Sequence, residues 1–415
     1  MSRGDIRGSV GYVLLDGAAD RPNPRLNFTT PLEAAYTPNL DSIARSSRVG
    51  RVVTVRRGVA PESDIAVFSM LGYSFAEGYP GRGVVEAVGA GMRFRDGDVA
   101  FRANLASVDG RKILDRRAGR NLTQEEANRI EKDLEGMSLD EAEAEFRATS
   151  SYRGVLVLRS SKAISADVTN TDPAYKRVGG FGAAREAGSS ERVEVCRPET
   201  GTEDARRTAR LVNEFTRRAA KLLEKSEVNR ERIREGKLPA NAILLRDAGD
   251  HLPRVQKFEE KYGMLGVALV EMPAEVGIAK LLEMKMVRVR DRNDLKEKAE
   301  LFSRELRDRA VVYAHIKGPD EFGHDGDAVG KKKNIEKLDR DFFSTVADEI
   351  KKKDARIAVS CDHATPCALM RHSSDPVPLS ISGKREGSRF TERASREGRL
   401  GTLHGPDVLG EVLRS

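Results

Sequence analysis

The chain has 415 residues, of which 39% are hydrophobic and 33% are charged, a composition typical of a soluble globular protein with one large domain or two. No apolar run approaches the ~18 residues of a membrane-spanning helix, and residues 1–17 lack the features of a signal peptide. The net charge is +7, but no basic tail or nucleic-acid motif accompanies it, which favours small anionic ligands over nucleic acid.

The first 94 residues contain segments typical of an α/β fold. The apolar run VGYVLL predicts a strand over roughly 10–15, and Asp16 follows it directly. VGRVVTV predicts a second strand at 49–55. The apolar segment 63–73 predicts a helix that begins at Ser63 or just after it. Free N–H groups at that helix start would lie beside Ser63 and form an anion site.

The pattern changes at about residue 95. Asp-Gly pairs at 96–97 and 109–110 indicate hairpin turns, and the sequence at 123–126 is a capping box that predicts a helix start. A basic helix is predicted over roughly 203–225, and the charged stretch after it is predicted to be a partly exposed connector. These elements predict an inserted α/β (or α+β) domain over residues 95–240.

From residue 241 onward, strand-like and helix-like segments alternate. The strand-like runs are AILLRDAG, LGVALVE, AVVYAHIKG and RIAVSCDH. Such alternation predicts a doubly wound, mostly parallel sheet, to which the first strand and these four runs would contribute. Residues 1–94 and 241–415 are therefore predicted to form one discontinuous α/β catalytic domain.

Carboxylate and imidazole side chains lie at or near the ends of these predicted strands. Asp16, Asp362 and His363 follow strand-like runs directly, and ligands of open α/β sheets bind beyond the carboxyl ends of strands. Asp320 and His324 are four residues apart, which on a helical turn places both on one face. A surface carboxylate with a structural histidine is the alternative for that pair. His372 adds a further nitrogen ligand.

Together with Ser63, these six residues predict a site for two divalent metal ions. The set mixes oxygen and nitrogen ligands without thiolates, which suits Mn²⁺ first, then Zn²⁺, Co²⁺ or Mg²⁺, and argues against a structural zinc site. Two metal ions could activate the Ser63 hydroxyl as a nucleophile for displacement at phosphorus. Without the other ligands, Ser63 would be interpreted as a helix N-cap.

Basic side chains near strand ends and in Arg-rich segments are candidates for holding phosphate and carboxylate groups. Most of the chain's arginines and lysines must nevertheless be solvated surface residues. Asp172 could touch a substrate hydroxyl or simply form an Asp-Pro turn. The candidate substrate-binding residues are Arg102, Arg116, Arg117, Arg159, Asp172, Arg246, Lys317 and His404.

These residues belong to an ordered series of motifs that runs nearly from end to end. The series is DGAADRP, TPNLDSIA, PESD, GRGVVEAVGAG, DRRAGR, TNTDP, LLRDAG, HIKGPDEFGHDG, DHATP, HSSDPVP and LHG. In this series the chain resembles the archaeal-type 2,3-bisphosphoglycerate-independent phosphoglycerate mutases of the alkaline phosphatase superfamily. It departs from the family pattern at Glu62, where a small residue is expected, and at Ala364, which replaces a common Ser or Thr.

The resemblance implies an alkaline-phosphatase-like fold and a division of the metal ligands into two sets. Asp16, Ser63, Asp362 and His363 would hold one ion, and Asp320, His324 and His372 the other. Ser63 would carry the phosphoryl group as phosphoserine, with no bisphosphoglycerate cofactor. Arginines of the inserted domain would retain glycerate, and domain closure would exclude water.

The implied activity is the interconversion of 3-phosphoglycerate and 2-phosphoglycerate in glycolysis and gluconeogenesis. The alternatives are a metal-dependent phosphomonoesterase or another phosphomutase of the superfamily, and a non-catalytic anion- or nucleic-acid-binding protein on the same scaffold. The sparse cysteines, Cys196, Cys361 and Cys367, predict reduced thiols and a cytoplasmic location. No nucleic-acid or membrane partner is expected, and the oligomeric state is left open.

Overall fold

The structure is a computed structural model that describes residues 8–75, 79–178, 181–184, 191–291, 293–383 and 388–415. The strands in these ranges are β1 (Val10–Leu15), β2 (Ser47–Val53), β3 (Val99–Asp109), β4 (Lys112–Asp115), β5 (Ala142–Ser150), β6 (Arg153–Ser160), β7 (Tyr175–Val178), β8 (Phe181–Ala184), β9 (Ala242–Gly249), β10 (Leu265–Val270), β11 (Lys285–Arg288), β12 (Ala310–Ile316), β13 (Arg356–Cys361), β14 (Val377–Ser382) and β15 (Gly401–His404).

The helices in the same ranges are α1 (Pro31–Ala34), α2 (Pro38–Arg45), α3 (Ser63–Met70), α4 (Arg82–Gly89), α5 (Gln124–Leu134), α6 (Glu203–Leu223), α7 (Glu227–Arg234), α8 (Phe258–Tyr262), α9 (Pro273–Leu281), α10 (Leu295–Glu305), α11 (Pro319–His324), α12 (Ala328–Leu338), α13 (Ser344–Lys353), α14 (Glu392–Glu397) and α15 (Gly405–Arg414). A π-helical turn, Asp339–Phe343, joins α12 to α13. Across the described part of the chain, no helix is both long enough and apolar enough to cross a membrane.

The chain divides into two compact units. Unit 1 comprises Met1–Ser74, Val255–Glu271 and Leu282–Ser415, and unit 2 comprises Phe75–Arg254 and Met272–Leu281. Unit 2 is larger than the predicted inserted domain, 95–240, since it also contains residues 75–94, 241–254 and 272–281. The reason lies in packing: α4 packs against α9 and β3, and β9 pairs with β3.

Unit 1 is built on an eight-stranded sheet with the order β11-β10-β12-β1-β13-β14-β2-β15. Every pairing in it is parallel except the two that involve β14, so the predicted mostly parallel α/β fold is confirmed. The central strand β1 is buried along its whole length and lies between β12 and β13. Leu15 is in register with Ile316 on one side and Cys361 on the other. The residues that follow these three strands therefore emerge side by side at one edge of the sheet.

Unit 2 contains an antiparallel sheet, β4-β3-β6-β5, to which β9 adds on β3. One face carries a large apolar core that includes Phe101, Leu156 and Phe215 of α6, and the other face packs Ala100 and Val155 against α4. The capping box at Thr123 and Glu126 is present at the start of α5, as predicted.

The structure corrects the sheet predicted for residues 242–249 and adds a helix to the predicted connector at 225–240. The run AILLRDAG was assigned to the parallel sheet, but it forms β9 in the antiparallel sheet of unit 2. Because β9 is buried on both faces, its continuous apolar pattern is the one a central parallel strand would also show. The predicted connector after α6 contains helix α7, which is stabilised by a buried Arg232 whose guanidinium binds Glu126.

Candidate metal centre

Three neighbouring strands of the unit 1 sheet, β12, β1 and β13, are followed by charged side chains that lie close together. Asp16 follows β1, Lys317 follows β12, and Asp362 and His363 follow β13. Asp362 and His363 are almost fully buried, at 0% and 1% exposure. The Lys317 ammonium lies 3.1 Å from a carboxylate oxygen of Asp16. The register of β1 with its two neighbours is what brings these groups together.

The predicted metal ligands form two clusters that share one residue. The first cluster is Asp16, Asp362 and His363, and the second is Asp320, His363 and His372; within each, one donor atom per residue lies within 4.8 Å of the others. His324 adjoins the second cluster, with its Nε2 3.5 Å from Asp320 Oδ2. The second set predicted from sequence thus contains His363 as an additional neighbour, and His324 lies at its exposed rim.

Ser63 is the first residue of α3, as the sequence predicted, and Glu62 before it makes no side-chain cap. The Ser63 hydroxyl lies 3.1 Å from Nε2 of His363, the residue common to both clusters. The first N–H groups of α3 have no partner within the helix, so this end of the helix favours an anion. Ser63 therefore combines a hydroxyl at the metal cluster with an anion-binding helix start.

Each of the three histidines is oriented through Nδ1. His372 Nδ1 lies 2.8 Å from the carbonyl oxygen of Pro61, and His324 Nδ1 lies 3.1 Å from that of Met370. A carbonyl can only accept a hydrogen bond, so in both rings Nδ1 carries the hydrogen. In the neutral form of these rings, Nε2 is then the available lone pair, directed at Asp320.

Thr365, which the sequence analysis did not select, orients His363 in the same way. Its hydroxyl donates to Asp320 Oδ1 over 2.6 Å and lies 3.0 Å from His363 Nδ1. Because its one hydrogen is used on the carboxylate, the hydroxyl must accept from Nδ1, which leaves Nε2 of neutral His363 unprotonated toward Ser63. Gly17, with φ +58°, permits this packing, since a Cβ there would lie 2.6 Å from the Thr365 hydroxyl.

A second residue missed by the sequence analysis is His315, on β12. Its Nε2 lies 3.1 Å from Asp362 Oδ2. Burial and the nearby Lys317 would lower the pKa of His315, but the carboxylates of Asp362 and Asp16 raise it to about 9. His315 is therefore protonated at neutral pH and donates a hydrogen bond to Asp362 Oδ2. The only sequence signal for it was its position two residues before Lys317, inside an apolar strand where a histidine is unusual.

The electrostatics of the centre suit a cation. Despite burial, which acts in the opposite direction, the neighbouring imidazoles hold the pKa of Asp320 and of Asp362 well below the usual range. Burial lowers the pKa of His363, whereas the Asp320 carboxylate overcomes burial and raises that of His372 to about 10. At neutral pH the centre thus holds ionised carboxylates that are paired with protonated His372 and His315, and a divalent ion would replace part of that positive charge. Binding would displace the proton of His372.

The donor set fits divalent metal ions. Asp16 Oδ1 is buried and, among the described residues, has no hydrogen-bond partner. It lies 3.5 Å from His363 Nε2, a distance typical of two ligands of one ion rather than of a hydrogen bond. Mixed carboxylate and imidazole donors with fixed tautomers are what Mn²⁺ or Zn²⁺ sites use.

Unit 2 carries most of the predicted substrate-binding residues. Arg116 and Arg246 both donate to the fully buried Asp172, at 3.0 Å for Arg116 Nε and for Arg246 Nη1. Both guanidinium groups lie over the ring of Tyr175. Burial would raise the pKa of Asp172, but the two arginines lower it. Asp172 is therefore an ionised anchor for two cations, and it also forms the predicted Asp-Pro turn, in which its Oδ1 accepts from the Ala174 N–H at 3.2 Å.

Arg102 lies on β3 beside a second acid. Its Nε is 3.3 Å from Glu86, which also binds Arg82. Burial, together with the nearby charges of Arg82 and Arg246, lowers the pKa of Arg102 to about 10. The arginine cluster of unit 2, defined as Arg82, Arg102, Arg116 and Arg246, therefore has four cations around Glu86 and Asp172. Arg82 was not selected from the sequence, although it stands at the start of the GRGVVEAVGAG helix.

The remaining candidates lie elsewhere. Arg159 binds Glu145 at 2.7 Å and lies four residues along β6 from Val155, the partner of Arg102. Arg117 contributes its backbone N–H to Asp115. His404 is exposed at the end of β15, at the carboxyl edge of the unit 1 sheet but three strands away from β13. The described contacts do not bring these three residues into either cluster.

Comparisons of the sequence and of the structure with known proteins point to one family. Residues 44–229 match the family model of 2,3-bisphosphoglycerate-independent phosphoglycerate mutase. The protein of that name from Aeropyrum pernix is 44% identical over 412 residues, which cover 95% of this chain and 96% of the relative. A solved structure from Pyrococcus horikoshii has a TM-score of 0.78 and 28% identity, covering 98% of this chain and 97% of the other. The cofactor-independent phosphoglycerate mutase from Thermoplasma acidophilum has a TM-score of 0.61 and 29% identity, covering 98% and 99%.

Proposed function

Because the chain belongs to the family of 2,3-bisphosphoglycerate-independent phosphoglycerate mutases, we propose that it interconverts 3-phosphoglycerate and 2-phosphoglycerate through a phosphoserine on Ser63. The activity is that of an isomerase, an intramolecular phosphotransferase that needs no bisphosphoglycerate. The observation that carries the proposal is the 3.1 Å separation of the Ser63 hydroxyl from His363, which belongs to both metal clusters.

The candidate ligands would form two metal sites. Asp16, Asp362 and His363 would hold one divalent ion, and Asp320 and His372, with His324 at the rim, the other. When bound, the ions would lower the pKa of the serine hydroxyl and neutralise the phosphate oxygens. Mn²⁺ is the ion we propose first, since the ligands mix carboxylate oxygen with imidazole nitrogen.

Ser63 Oγ gives up its hydrogen and attacks phosphorus in line, forming an O–P bond as the bond from phosphorus to the glycerate oxygen breaks and that oxygen takes up a proton. The N–H groups at the start of α3 stabilise the phosphoryl oxygens. Glycerate then presents its other hydroxyl, which takes the phosphoryl group back and regenerates Ser63. Lys317, held against Asp16, is placed to donate to a phosphate oxygen.

The arginine cluster of unit 2 supports a mutase over a simple phosphomonoesterase. A hydrolase can release its alcohol, whereas a mutase must retain glycerate until it is phosphorylated again. Guanidinium groups anchored by Asp172 and Glu86 are suited to hold the glycerate carboxylate. The three free, buried cysteines support a reducing, cytoplasmic setting, in which we propose a glycolytic role.

The test is to find the phosphoryl group on the enzyme. Protein incubated with Mn²⁺ and 3-phosphoglycerate, quenched in acid and digested should contain phosphoserine at Ser63, and Ser63→Ala should lose both label and isomerisation. Ser69→Ala, which removes another serine hydroxyl from the same helix, should keep both. Isomerisation by Ser63→Ala, or label on another residue, would contradict the proposal.

A further inference from the structure

Lys331 of α12 is a fully buried lysine, at 0% exposure, close to the metal centre. Its ammonium donates to Asp20 Oδ2 at 2.8 Å, to the Thr365 carbonyl at 2.9 Å and to the Ala19 carbonyl at 3.3 Å. An ammonium has three hydrogens, so three acceptors satisfy it completely. All three hydrogens of the Lys331 ammonium are therefore donated within the protein, and the side chain does not reach solvent.

The three acceptors come from two different loops, and each loop carries metal ligands. Residues 16–20 follow β1 and begin with Asp16, whereas residues 362–367 follow β13 and begin with Asp362 and His363. Other bonds join the same loops: Thr365 N–H donates to Ala19 O at 3.1 Å, and Cys367 N–H donates to Asp20. Lys331 therefore sits at the junction of the loops that carry the first metal cluster.

Thr365 connects this junction to the second cluster. Its carbonyl accepts from Lys331, while its hydroxyl donates to Asp320 and fixes the His363 ring. A shift of the Thr365 backbone would move the hydroxyl that orients Asp320 and the His363 ring. One lysine thus braces the orientation of residues in both metal clusters.

We infer that Lys331 and Asp20 form a positioning brace that sets the metal affinity of the centre by fixing the two ligand loops relative to each other. This inference rests on the proposed metal centre and adds to it two residues that belong to neither metal cluster. Buried ion pairs contribute little net stability, because the cost of desolvating both charges offsets their attraction. The position of this pair is better explained by the geometry that it imposes on the metal-binding loops. Mutation of a residue that orients metal ligands typically weakens metal affinity about 10- to 100-fold.

The chain offers a matched control. Lys298 of α10 is also buried, at 1% exposure, and its ammonium lies 2.5 Å from Glu271, which belongs to neither metal cluster. Lys331→Met and Lys298→Met each remove one buried ammonium and leave a buried carboxylate behind. Both variants should unfold at a lower temperature than the wild-type protein.

The experiment is a titration of metal-stripped full-length protein with Mn²⁺, followed by the loss of the free-ion electron paramagnetic resonance signal. Lys331→Met should weaken Mn²⁺ binding about tenfold or more, while Lys298→Met should bind as the wild type does. If Lys331→Met does not fold, Asp20→Asn with Glu271→Gln as its control makes the same comparison with a smaller change. Equal Mn²⁺ binding by the brace variant and its control would overturn the inference. Absence of Mn²⁺ binding by the wild-type protein would instead overturn the proposed metal centre.

Discussion

Nε2 of His363 lies 3.1 Å from the Ser63 hydroxyl, while Nδ1 of the same ring lies 3.0 Å from the Thr365 hydroxyl. Because Thr365 donates its hydrogen to Asp320, the two ring nitrogens of neutral His363 have different and fixed roles. Thr365 therefore connects Asp320 to His363, and His363 connects both to Ser63, the proposed nucleophile.

Thr365→Val tests this connection, since valine keeps the shape of the side chain and removes its hydroxyl. We expect Mn²⁺ affinity to fall about 10- to 100-fold, because Asp320 loses a donor and His363 loses its tautomer control. Calorimetric titration of the metal-stripped protein measures the effect. Thr208→Val removes an equally buried hydroxyl from α6 and should lower stability without changing Mn²⁺ affinity. Unchanged Mn²⁺ binding by Thr365→Val would show that the hydroxyl does not orient the ligands.

Arg116 and Arg159 were indistinguishable as substrate-binding candidates in the sequence, and the structure separates them. Arg116→Met should raise the KM for 3-phosphoglycerate tenfold or more, because loss of a charge-assisted hydrogen bond costs about 1.5–3 kcal/mol. Arg159→Met should change KM less than about twofold, since Arg159 and its partner Glu145 lie outside the arginine cluster. Steady-state kinetics at saturating Mn²⁺ decide between them. A larger effect from Arg159 would place the anion site elsewhere in unit 2.

Glu392, at the start of α14, predicts a pH dependence of stability. Burial, with a further contribution from Glu33, raises its pKa to about 7, although it accepts hydrogen bonds from the Thr30 hydroxyl and the Asp20 N–H. A carboxyl that holds its proton more tightly when folded stabilises the protein fully below its unfolded pKa of about 4.5. This stabilisation is lost as pH rises through about 7.

Glu392→Gln should therefore leave stability at pH 4.5 nearly unchanged and raise it relative to wild type at pH 8, by about 1–2 kcal/mol for a half-buried group. Denaturant unfolding of the metal-free protein at both pH values gives the difference. Glu397→Gln, on the exposed side of the same helix, should show no such pH dependence. A wild-type advantage at pH 8 would reverse the sign and refute the argument.

Helix α3 is fastened at the end opposite Ser63. The Met70 carbonyl accepts from the Tyr12 hydroxyl at 2.9 Å, the Leu71 carbonyl accepts from the Tyr262 hydroxyl at 2.8 Å, and the Gly72 carbonyl accepts from Lys261. Tyr262→Phe leaves the Leu71 carbonyl unsatisfied and should cost about 1–3 kcal/mol of unfolding free energy. Tyr36→Phe, at a residue that is 77% exposed, is the control. Equal stability of the two variants would mean that water replaces the lost hydroxyl.

The elements that position the metal centre were predictable because strand and ligand coincide in the sequence. Asp16 and Asp362 end apolar runs, and parallel strands bring such ends to one edge. The strand AILLRDAG misled the analysis, because a strand buried on both faces shows no alternation that could tell an antiparallel partner from a parallel one. Its Arg246 lies within the strand rather than at its end, and its role toward substrate stays a prediction.

The residues that orient the ligands were harder to find. Thr365 lies in the DHATP motif, so a hydroxyl two residues after a candidate histidine was a usable signal. Lys331 had none, because a lysine in a Lys-rich helix reads as a solvated surface residue. Its burial depends on two loops that follow β1 and β13 and are far apart in the sequence.

The most direct test of the account is an assay of metal-stripped protein with 3-phosphoglycerate, before and after Mn²⁺ is restored and with no bisphosphoglycerate added. The assay follows 2-phosphoglycerate and free phosphate together. We predict that 2-phosphoglycerate forms only after Mn²⁺ is restored and that little phosphate is released, since we propose that the arginine cluster retains glycerate. Formation of 2-phosphoglycerate without metal, or release of mainly free phosphate, would contradict the proposed two-metal mutase.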